Sequence, residues 1–297
     1  MQIVRVWNPE RQCARLGRRV GDAVEELAMA GLEDAVLQAR VEGSSVIALL
    51  TAARAATAWP YATLDIAPHP DRPHLLQPVV TSEVWGAGVT YLRSRQARME
   101  ESVVSDVYQR VYEAVRPELF FKATASRCVG PNQPVGIRGD TQWCVPEPEL
   151  ALLVDADLNI VGYTLGNDMS ARDIEGENPL YLPQAKVYAA CCSIGPAVYL
   201  CEGAPEPFPI VCRIRRGGEQ VFQGETSTAR MRRDFAELVA YLGRDNPLPP
   251  LTLLLTGTGI VPPDGFTLAA DDVIEIESPA IGCLRNPARL LAGAATH

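Results

Sequence analysis

The chain has 297 residues, 47% of them hydrophobic, and a formal net charge of −9. This length and apolar content suffice for one large domain with a packed core and a second, smaller one. The acidic balance argues against nucleic acid as a partner, and no run of about 18 apolar residues predicts a membrane-spanning helix. We therefore expect neither a nucleic-acid nor a membrane partner.

The N-terminal quarter predicts a small α+β unit without an obvious catalytic cluster. Periodicity predicts two strands and two helices there, with residues 2–7 and 18–27 as strands and residues 32–41 and 45–56 as helices. The proline-rich stretch 60–78 is predicted to be a connector. We therefore divide the chain into a small N-terminal domain, 1–76, and a main domain, 77–297.

The segment after Gly88 is rich in arginine and leads into a helical pattern. Arg93, Arg95 and Arg98 precede Glu100, and valines recur at helical spacing from Val103 to Val115. Two interpretations stay open: an ordinary surface helix with charge pairs, or a lid that delivers Arg93 or Glu100 to a substrate. Pro117 ends this helix, and a predicted strand begins at Phe120, where Lys122 is either solvent-exposed or part of an active site.

The segment from Trp143 to Pro196 contains the clearest candidate site. Glu147 and Glu149 are two apart on a predicted strand, so both carboxylates leave the same face. The apolar run that follows breaks at residues 155–159, a turn-like cluster, and a second strand leads to Asp168. A hairpin of this kind brings Asp168 back beside the two glutamates.

Three convergent carboxylates without histidine or thiolate suit a hard divalent cation such as Mg²⁺, Mn²⁺ or Ca²⁺. A Glu-x-Glu alternation is also typical of the solvated face of a half-buried strand, so these residues alone leave metal binding open. Pro146 and Pro148 cannot donate ladder hydrogen bonds, which favours an edge or a bulge where functional groups are presented.

Two further segments complete the candidate site. Ser170 and Asp173 have the spacing of a helix cap, so Ser170 is predicted to begin a helix, and Arg172 is expected to orient Asp168 from behind. A buried strand at 251–255 is predicted to lead into Thr256-Gly-Thr-Gly259, whose glycines let backbone amides approach an oxyanion closely.

The positions of the cysteines and histidines limit which metal and catalytic sites the sequence supports. The eight cysteines show no Cys-x-x-Cys spacing and are expected to be mostly buried, reduced thiols. Met1 to Trp7 contains no basic segment before a long apolar run, so no signal peptide is predicted, and a cytoplasmic protein is expected. His69 and His74 lie in the proline-rich stretch and His297 ends the sequence, which gives little support to zinc or Ser-His-Asp chemistry.

These motifs together resemble the fumarylacetoacetate hydrolase family. The resemblance rests on the order and spacing of Glu147-x-Glu149, Gly162-Tyr-Thr164, Asn167-Asp168-x-Ser-Ala-Arg-Asp173, Lys186 and Gly195-Pro196. It extends over about residues 80–290 through Gly86-x-Gly88-Val-x-Tyr91, Thr256-Gly-Thr258 and Ile281-Gly-x-Leu-x-Asn286.

The resemblance implies both a fold and a set of site residues. The fold is α+β but mostly β, with a mixed β-roll core, and a homodimer or higher homo-oligomer is expected. Glu147, Glu149 and Asp168 match the family's metal ligands, and Lys186 matches its active-site lysine. The Thr258 loop lies where the family holds a substrate carboxylate, and Lys122 is expected at an active-site position.

One departure from the family pattern points to a particular branch. Hydrolases of the family carry a His-x-x-Glu pair just after the Gly-x-Gly-x-x-Tyr stretch to activate water, but residues 91–102 contain no histidine. The Arg93-Ser-Arg95 form, with Phe120-Phe-Lys122 and Cys191-Cys-Ser-Ile-Gly-Pro196, resembles the 2-keto-3-deoxy sugar-acid dehydratase branch instead.

The expected function is therefore that of a Mg²⁺-dependent lyase that dehydrates a 2-keto-3-deoxy pentonate through an enolate. Lys186 would stabilise charge or transfer a proton, and Glu100 would protonate the leaving hydroxyl. Arg93, Lys122, Lys186 and Thr258 would bind the small anionic 2-oxo acid. Three alternatives remain: hydrolysis of a carbon–carbon bond in an acylpyruvate, oxaloacetate decarboxylation, and a sugar-acid binding protein without turnover.

Overall fold

The computed structural model of the chain describes residues 1–101 and 105–292, and side chains there except those of residues 98, 100, 101 and 105–108. The described strands are β1 (Gln2–Asn8), β2 (Cys13–Val20), β3 (Ala23–Leu27), β4 (Ala55–Pro60), β5 (His74–Leu76), β6 (Glu83–Gly88), β7 (Glu118–Thr124), β8 (Cys128–Val129), β9 (Val135–Ile137), β10 (Cys144–Val145), β11 (Pro148–Asp155), β12 (Ile160–Asp168), β13 (Ser170–Ala171), β14 (Cys192–Tyr199), β15 (Pro209–Arg216), β16 (Glu219–Ser227), β17 (Leu251–Leu255), β18 (Val273–Ser278) and β19 (Gly282–Leu290).

The described helices are short and lie between the strands. They are α1 (Leu32–Glu42), α2 (Val46–Ala52), α3 (Tyr61–Leu64), α4 (Leu92–Glu101), α5 (Ser105–Glu113), α6 (Arg172–Glu177), α7 (Leu182–Lys186) and α8 (Phe235–Leu242), with 3₁₀ turns at Ala125–Arg127, Pro179–Tyr181 and Thr228–Arg230. In this part of the chain no helix is long and apolar enough to cross a bilayer. The fold is mostly β, as predicted.

The central sheet is organised around the β11–β12 hairpin. Its strand order is β4-β3-β2-β1-β14-β12-β11-β17-β6-β7, with β5 added beside β1 and β8 beside β14. Residues 148–154 of β11 are all buried, because both of its faces are covered. This explains why the strand is a continuous apolar run rather than an alternating one. The predicted hairpin turn is confirmed at residues 155–159.

Parallel and antiparallel pairs occur together, so the sheets are mixed, as predicted. The hairpin β11–β12 is antiparallel, whereas β17 runs parallel to β6 and β14 parallel to β8. A second sheet has the order β16-β15-β18-β19-β9, and its β18 alternates buried and partly exposed residues. The partly exposed Glu275 and Glu277 fit the solvated face expected for this strand.

The N-terminal residues join the central sheet instead of forming a separate layer. Strand β1 pairs with β14 through Gln2 and Ile3, so the sheet is continuous across the predicted boundary at residue 76. The division into domains 1–76 and 77–297 stays a prediction. The predicted connector contains helix α3 and strand β5, which pairs with β1.

Two helix predictions need correction. Helix α2 ends at Ala52 rather than at residue 56, because the chain turns there and residues 55–60 pair with β3. The arginine-rich segment after Tyr91 forms helix α4 from Leu92, whereas sequence analysis had placed the helix N-terminus near Glu100. Few apolar residues mark its buried face, so the periodicity was too weak to indicate a helix.

Candidate active site

The β11–β12 hairpin brings the three predicted carboxylates together. Pro148 pairs with Asn167, and the Asp168 amide donates to the Glu147 carbonyl across 3.0 Å. Glu147 therefore lies just before β11 and Asp168 at the end of β12. One ligand oxygen from each of Glu147, Glu149 and Asp168 lies within 4.8 Å of the others, and all three side chains are buried. The predicted convergence is confirmed.

Glu149 is held by the loop that follows β17. The Gly257 amide donates to Glu149 Oε2 across 2.6 Å. Gly257 has a φ of 91°, and a Cβ there would overlap the Thr90 side chain, so this amide position depends on glycine. Burial, together with the neighbouring Asp168 and Glu147, raises the pKa of Glu149 well above its usual value.

Three buried cations surround the carboxylates. Lys186 Nζ lies 2.7 Å from Glu147 Oε2 and 3.0 Å from Asp168 Oδ2. Arg172 Nη2 lies 3.0 Å from Glu147 Oε1, whereas sequence analysis had expected Arg172 to orient Asp168. Lys122 Nζ lies 2.5 Å from Asp168 Oδ1. Burial is the largest influence and disfavours the charge on Lys122, but Asp168 together with Cys191 and Cys192 outweighs it, and the pKa of Lys122 is raised.

The capping role predicted for Ser170 is wrong. Helix α6 begins at Arg172, its N-cap is Ala171, and no side chain caps it. Ser170 instead belongs to β13, where its hydroxyl donates to the Asp168 carbonyl and lies 2.6 Å from Lys186 Nζ. The short pairing of β13 with β10 keeps Ser170 extended, and its hydroxyl supports Lys186 instead of a helix end.

A cavity opens beside the carboxylates and adds residues that sequence analysis missed. It is lined by Ala87, Gly88, Val89, Ser94, Glu118, Phe120, Glu147, Glu149, Asp168, Glu175, Leu182, Lys186, Gly257 and Thr258. Glu118 and Glu175 are the new carboxyl groups. A Cβ on residue 88 would overlap the Glu118 carboxylate, so Gly88 makes room for it. The spacing of two between Glu118 and Phe120, which places both side chains on one face of β7, was the available clue to Glu118.

The other predicted site residues differ in whether their side chains reach the cavity. Thr258 lines the cavity, and its hydroxyl donates to the Pro148 carbonyl across 2.8 Å. Arg93 is exposed on α4, and the neighbouring Ser94 is the residue of that turn that lines the cavity. Lys122 is fully buried behind Asp168, and among described residues it is not part of the lining. The side chain of Glu100 lies outside the described residues.

The residues present fit a hard divalent cation. Their donors are carboxylate oxygens converging from one hairpin, the ligand set that Mg²⁺, Mn²⁺ and Ca²⁺ prefer. No histidine or cysteine belongs to this cluster within the described part of the chain. Glu147, Glu149 and Asp168 would hold the ion, while Lys186, Arg172 and Lys122 orient them.

The raised pKa of Glu149 predicts a pH-dependent response to Mg²⁺. A proton held by folded Glu149 contributes stability at low pH, and this contribution is lost as pH rises above the ordinary glutamate value. A cation must displace that proton, so metal binding strengthens as pH rises. We expect Mg²⁺ to raise the melting temperature more at pH 8 than at about pH 5, just above the ordinary glutamate value, measured by scanning calorimetry at matched ionic strength. Equal shifts at both pH values would contradict the raised pKa of Glu149.

The chain is similar to known proteins over most of its length. The model of the family described as fumarylacetoacetate (FAA) hydrolase C-terminal matches residues 83–289. A probable 2-keto-3-deoxyxylonate dehydratase of Haloferax volcanii is 51% identical over 215 residues, which are 72% of this chain and 74% of that protein. A 2-dehydro-3-deoxy-D-arabinonate dehydratase of Saccharolobus solfataricus is 44% identical over 221 residues, with the same coverage of both chains.

A solved structure extends the similarity to nearly the whole fold. A 2-keto-3-deoxy-D-arabinonate dehydratase complexed with magnesium and 2,5-dioxopentanoate superposes with a TM-score of 0.85 at 35% identity. The match covers 99% of this chain and 100% of that one. The family model spans most of the sequence, including the hairpin and Lys186, and the chain therefore belongs to the fumarylacetoacetate hydrolase family.

Proposed function

We propose that this protein is a lyase that dehydrates a 2-keto-3-deoxy pentonate to a 2-oxoglutarate semialdehyde-type product, with Mg²⁺ as its cation and Mn²⁺ or Ca²⁺ as substitutes. One observation carries the proposal: Glu147, Glu149 and Asp168 share a cavity with Lys186 and Glu118, and no described histidine lines it. Dehydratase relatives of 51% and 44% identity support the same reaction.

The chemistry that a divalent cation supplies in such a site is Lewis-acid polarisation of the C2 carbonyl, which makes the C3 hydrogens more acidic. Glu118 is our candidate to remove the C3 proton, because it is a carboxyl group in the cavity that is not one of the three metal-site carboxylates. Proton removal leaves an enolate, and its negative charge is opposed by the ammonium of Lys186. Glu118 also replaces Glu100 as our candidate to protonate the leaving hydroxyl.

Loss of the C4 hydroxyl follows. Glu118, now protonated, can return the proton to the leaving hydroxyl, so that water departs, a C3–C4 double bond forms and the carboxylate is restored. Transfer of a proton from C5 to C3 then gives a C4–C5 enol, and this enol becomes the aldehyde product when its hydroxyl proton passes to C4. Glu175, the second carboxyl group of the lining outside the metal site, can accept hydrogen bonds from substrate hydroxyls. Thr258 remains our candidate to bind the substrate carboxylate, and Arg93 to reach the substrate from α4.

The proposal is tested by comparing two substrates under the same Mg²⁺ concentration. We expect turnover of a 2-keto-3-deoxy pentonate, with one aldehyde formed per substrate consumed and complete loss of activity after chelation. An acylpyruvate should not be cleaved, because no described histidine in the cavity activates water. Cleavage of the acylpyruvate without dehydration of the pentonate would support the hydrolase alternative.

Compartment and assembly are also proposed here. All eight cysteines are free, which supports a reducing, cytoplasmic location. Exposed apolar side chains such as Leu37, Val41 and Leu180 support a homodimer or higher homo-oligomer. Sedimentation equilibrium of the purified chain would establish its mass in solution, and a monomeric mass would contradict the assembly.

A further inference from the structure

The distribution of lysine in this chain is unusual. Of its 27 lysines and arginines only two are lysine, Lys122 and Lys186. Both are buried, with 0% and 2% of their surface exposed, and both contact Asp168. An ammonium is compact, whereas a guanidinium is a wide planar fork. Arginine occupies all the other positions of this group. Lysine occurs only beside the carboxylates, where a compact cation fits.

Lys122 contacts three groups of the candidate site. Besides Asp168 Oδ1 at 2.5 Å, its Nζ donates to the Met169 carbonyl across 2.9 Å and to the Lys186 carbonyl across 2.5 Å. The two carbonyl contacts are hydrogen bonds, and the contact with Asp168 is an ion pair without hydrogen-bond geometry. The contacts with Asp168 and Met169 hold the end of β12, and the contact with the Lys186 carbonyl holds the end of α7.

The local backbone places Lys122 at an irregular point of β7. Trp85 pairs with Phe121 and Val84 with Ala123, so Lys122 is an extra residue without a partner in β6. Such bulges re-aim a side chain and are common beside active sites. The Tyr188 ring, whose centroid lies 5.8 Å from Nζ, covers another side of the ammonium. Lys122 is therefore enclosed by protein and directed at Asp168.

We infer that Lys122 is a positioning residue that joins the Asp168 carboxylate and the main chain of Lys186 into one rigid unit. Its ammonium fixes the distance between a metal ligand and the active-site lysine without touching the substrate. This inference rests on the proposed function for its catalytic meaning. The proposed reaction gives Lys122 no role, because Lys122 is not among the described residues that line the cavity. A positioning role explains why a buried lysine lies there.

The test uses Lys122→Met, which keeps the length of the side chain and removes the ammonium. We expect Mn²⁺ affinity, measured by electron paramagnetic resonance, to fall about 10- to 100-fold, the usual effect of losing a group that orients a metal ligand. Arg233→Met is the matched control, because Arg233 is also buried and binds the Val115 carbonyl and Glu237. Its Mn²⁺ affinity should equal that of the unmodified protein.

Selective labelling provides a second measurement. Protein labelled with ¹⁵N at lysine Nζ can give only two ammonium resonances, one from each lysine. In the Lys122→Met variant without metal, the Lys186 resonance should shift, because the Lys186 carbonyl has lost its donor. An unchanged Lys186 resonance together with unchanged Mn²⁺ affinity would overturn the inference.

A third variant keeps the test decisive if Lys122→Met does not fold. Lys122→Arg preserves the charge but cannot place one nitrogen at all three contacts, so Mn²⁺ affinity should still fall about 10-fold. Full affinity in this folded variant would mean that charge alone suffices, and would refute a positioning role. Both readouts are independent of turnover, so a failure to dehydrate the pentonate would reject the proposed function and leave this inference standing.

Discussion

Glu149→Gln should lower kcat/KM for the 2-keto-3-deoxy pentonate at least about a thousandfold at saturating Mg²⁺. Lewis-acid stabilisation contributes several kcal/mol to such reactions, and about 4 kcal/mol corresponds to three powers of ten in rate. The substitution removes one of three converging carboxylates but keeps an oxygen to accept the Gly257 amide. The fold should therefore persist while cation binding is lost.

The measurement is steady-state kinetics over a Mg²⁺ titration, with Mn²⁺ affinity determined in parallel. Glu225→Gln is the matched control, because Glu225 is an exposed strand glutamate on β16. It should retain full activity and full metal affinity. If Glu149→Gln turned over the pentonate at the original rate, the metal site would have to lie elsewhere.

Glu118→Gln should lower kcat by about 10²- to 10⁴-fold, the range typical of a lost general base, while leaving Mn²⁺ affinity unchanged. Glu118 lines the cavity but does not belong to the cluster of Glu147, Glu149 and Asp168. A lower kcat with unchanged Mn²⁺ affinity would show that Glu118 acts in proton transfer and not in metal binding. A 2-oxo acid lacking the C4 hydroxyl should exchange its C3 hydrogens with D₂O in the unmodified protein and not in the variant, as followed by proton NMR.

The control for Glu118 is Glu100→Gln, since sequence analysis had assigned protonation of the leaving hydroxyl to Glu100. We expect this variant to keep C3 exchange within a few-fold of the original rate. The opposite pattern, with exchange lost in Glu100→Gln and retained in Glu118→Gln, would assign removal of the C3 proton to Glu100 instead of Glu118.

The convergence of the three carboxylates could be predicted because the sequence information for it is local. Glu147, Glu149 and Asp168 lie on one hairpin, and the period of a strand and the length of its turn determine which side chains meet. Lys186 was recovered by resemblance to a family. Its contacts with Glu147 and Asp168 depend on α7 packing against the end of the hairpin, which no pattern in the chain indicates.

The residues that were missed or misassigned depend on contacts between distant segments. Glu118 and Glu175 are 57 positions apart and meet only because β7 and α6 border the same cavity. Ser170 has the local pattern of a helix cap, but pairing of β13 with β10 prevailed over that pattern. Lys122 was expected to meet the substrate, and only the bulge in β7 reveals that it turns behind Asp168.

The positions of the two lysines also determine where a lysine-specific protease can cleave the chain. A protease that cleaves only after lysine has two possible sites, and both peptide bonds follow side chains that are almost completely buried. Cleavage therefore requires the strands and helices around the carboxylates to open. When opening and closing are fast, the cutting rate reports the population of the open form. The fragments 1–122, 123–186 and 187–297 would thus record how often this one region of the folded protein comes apart.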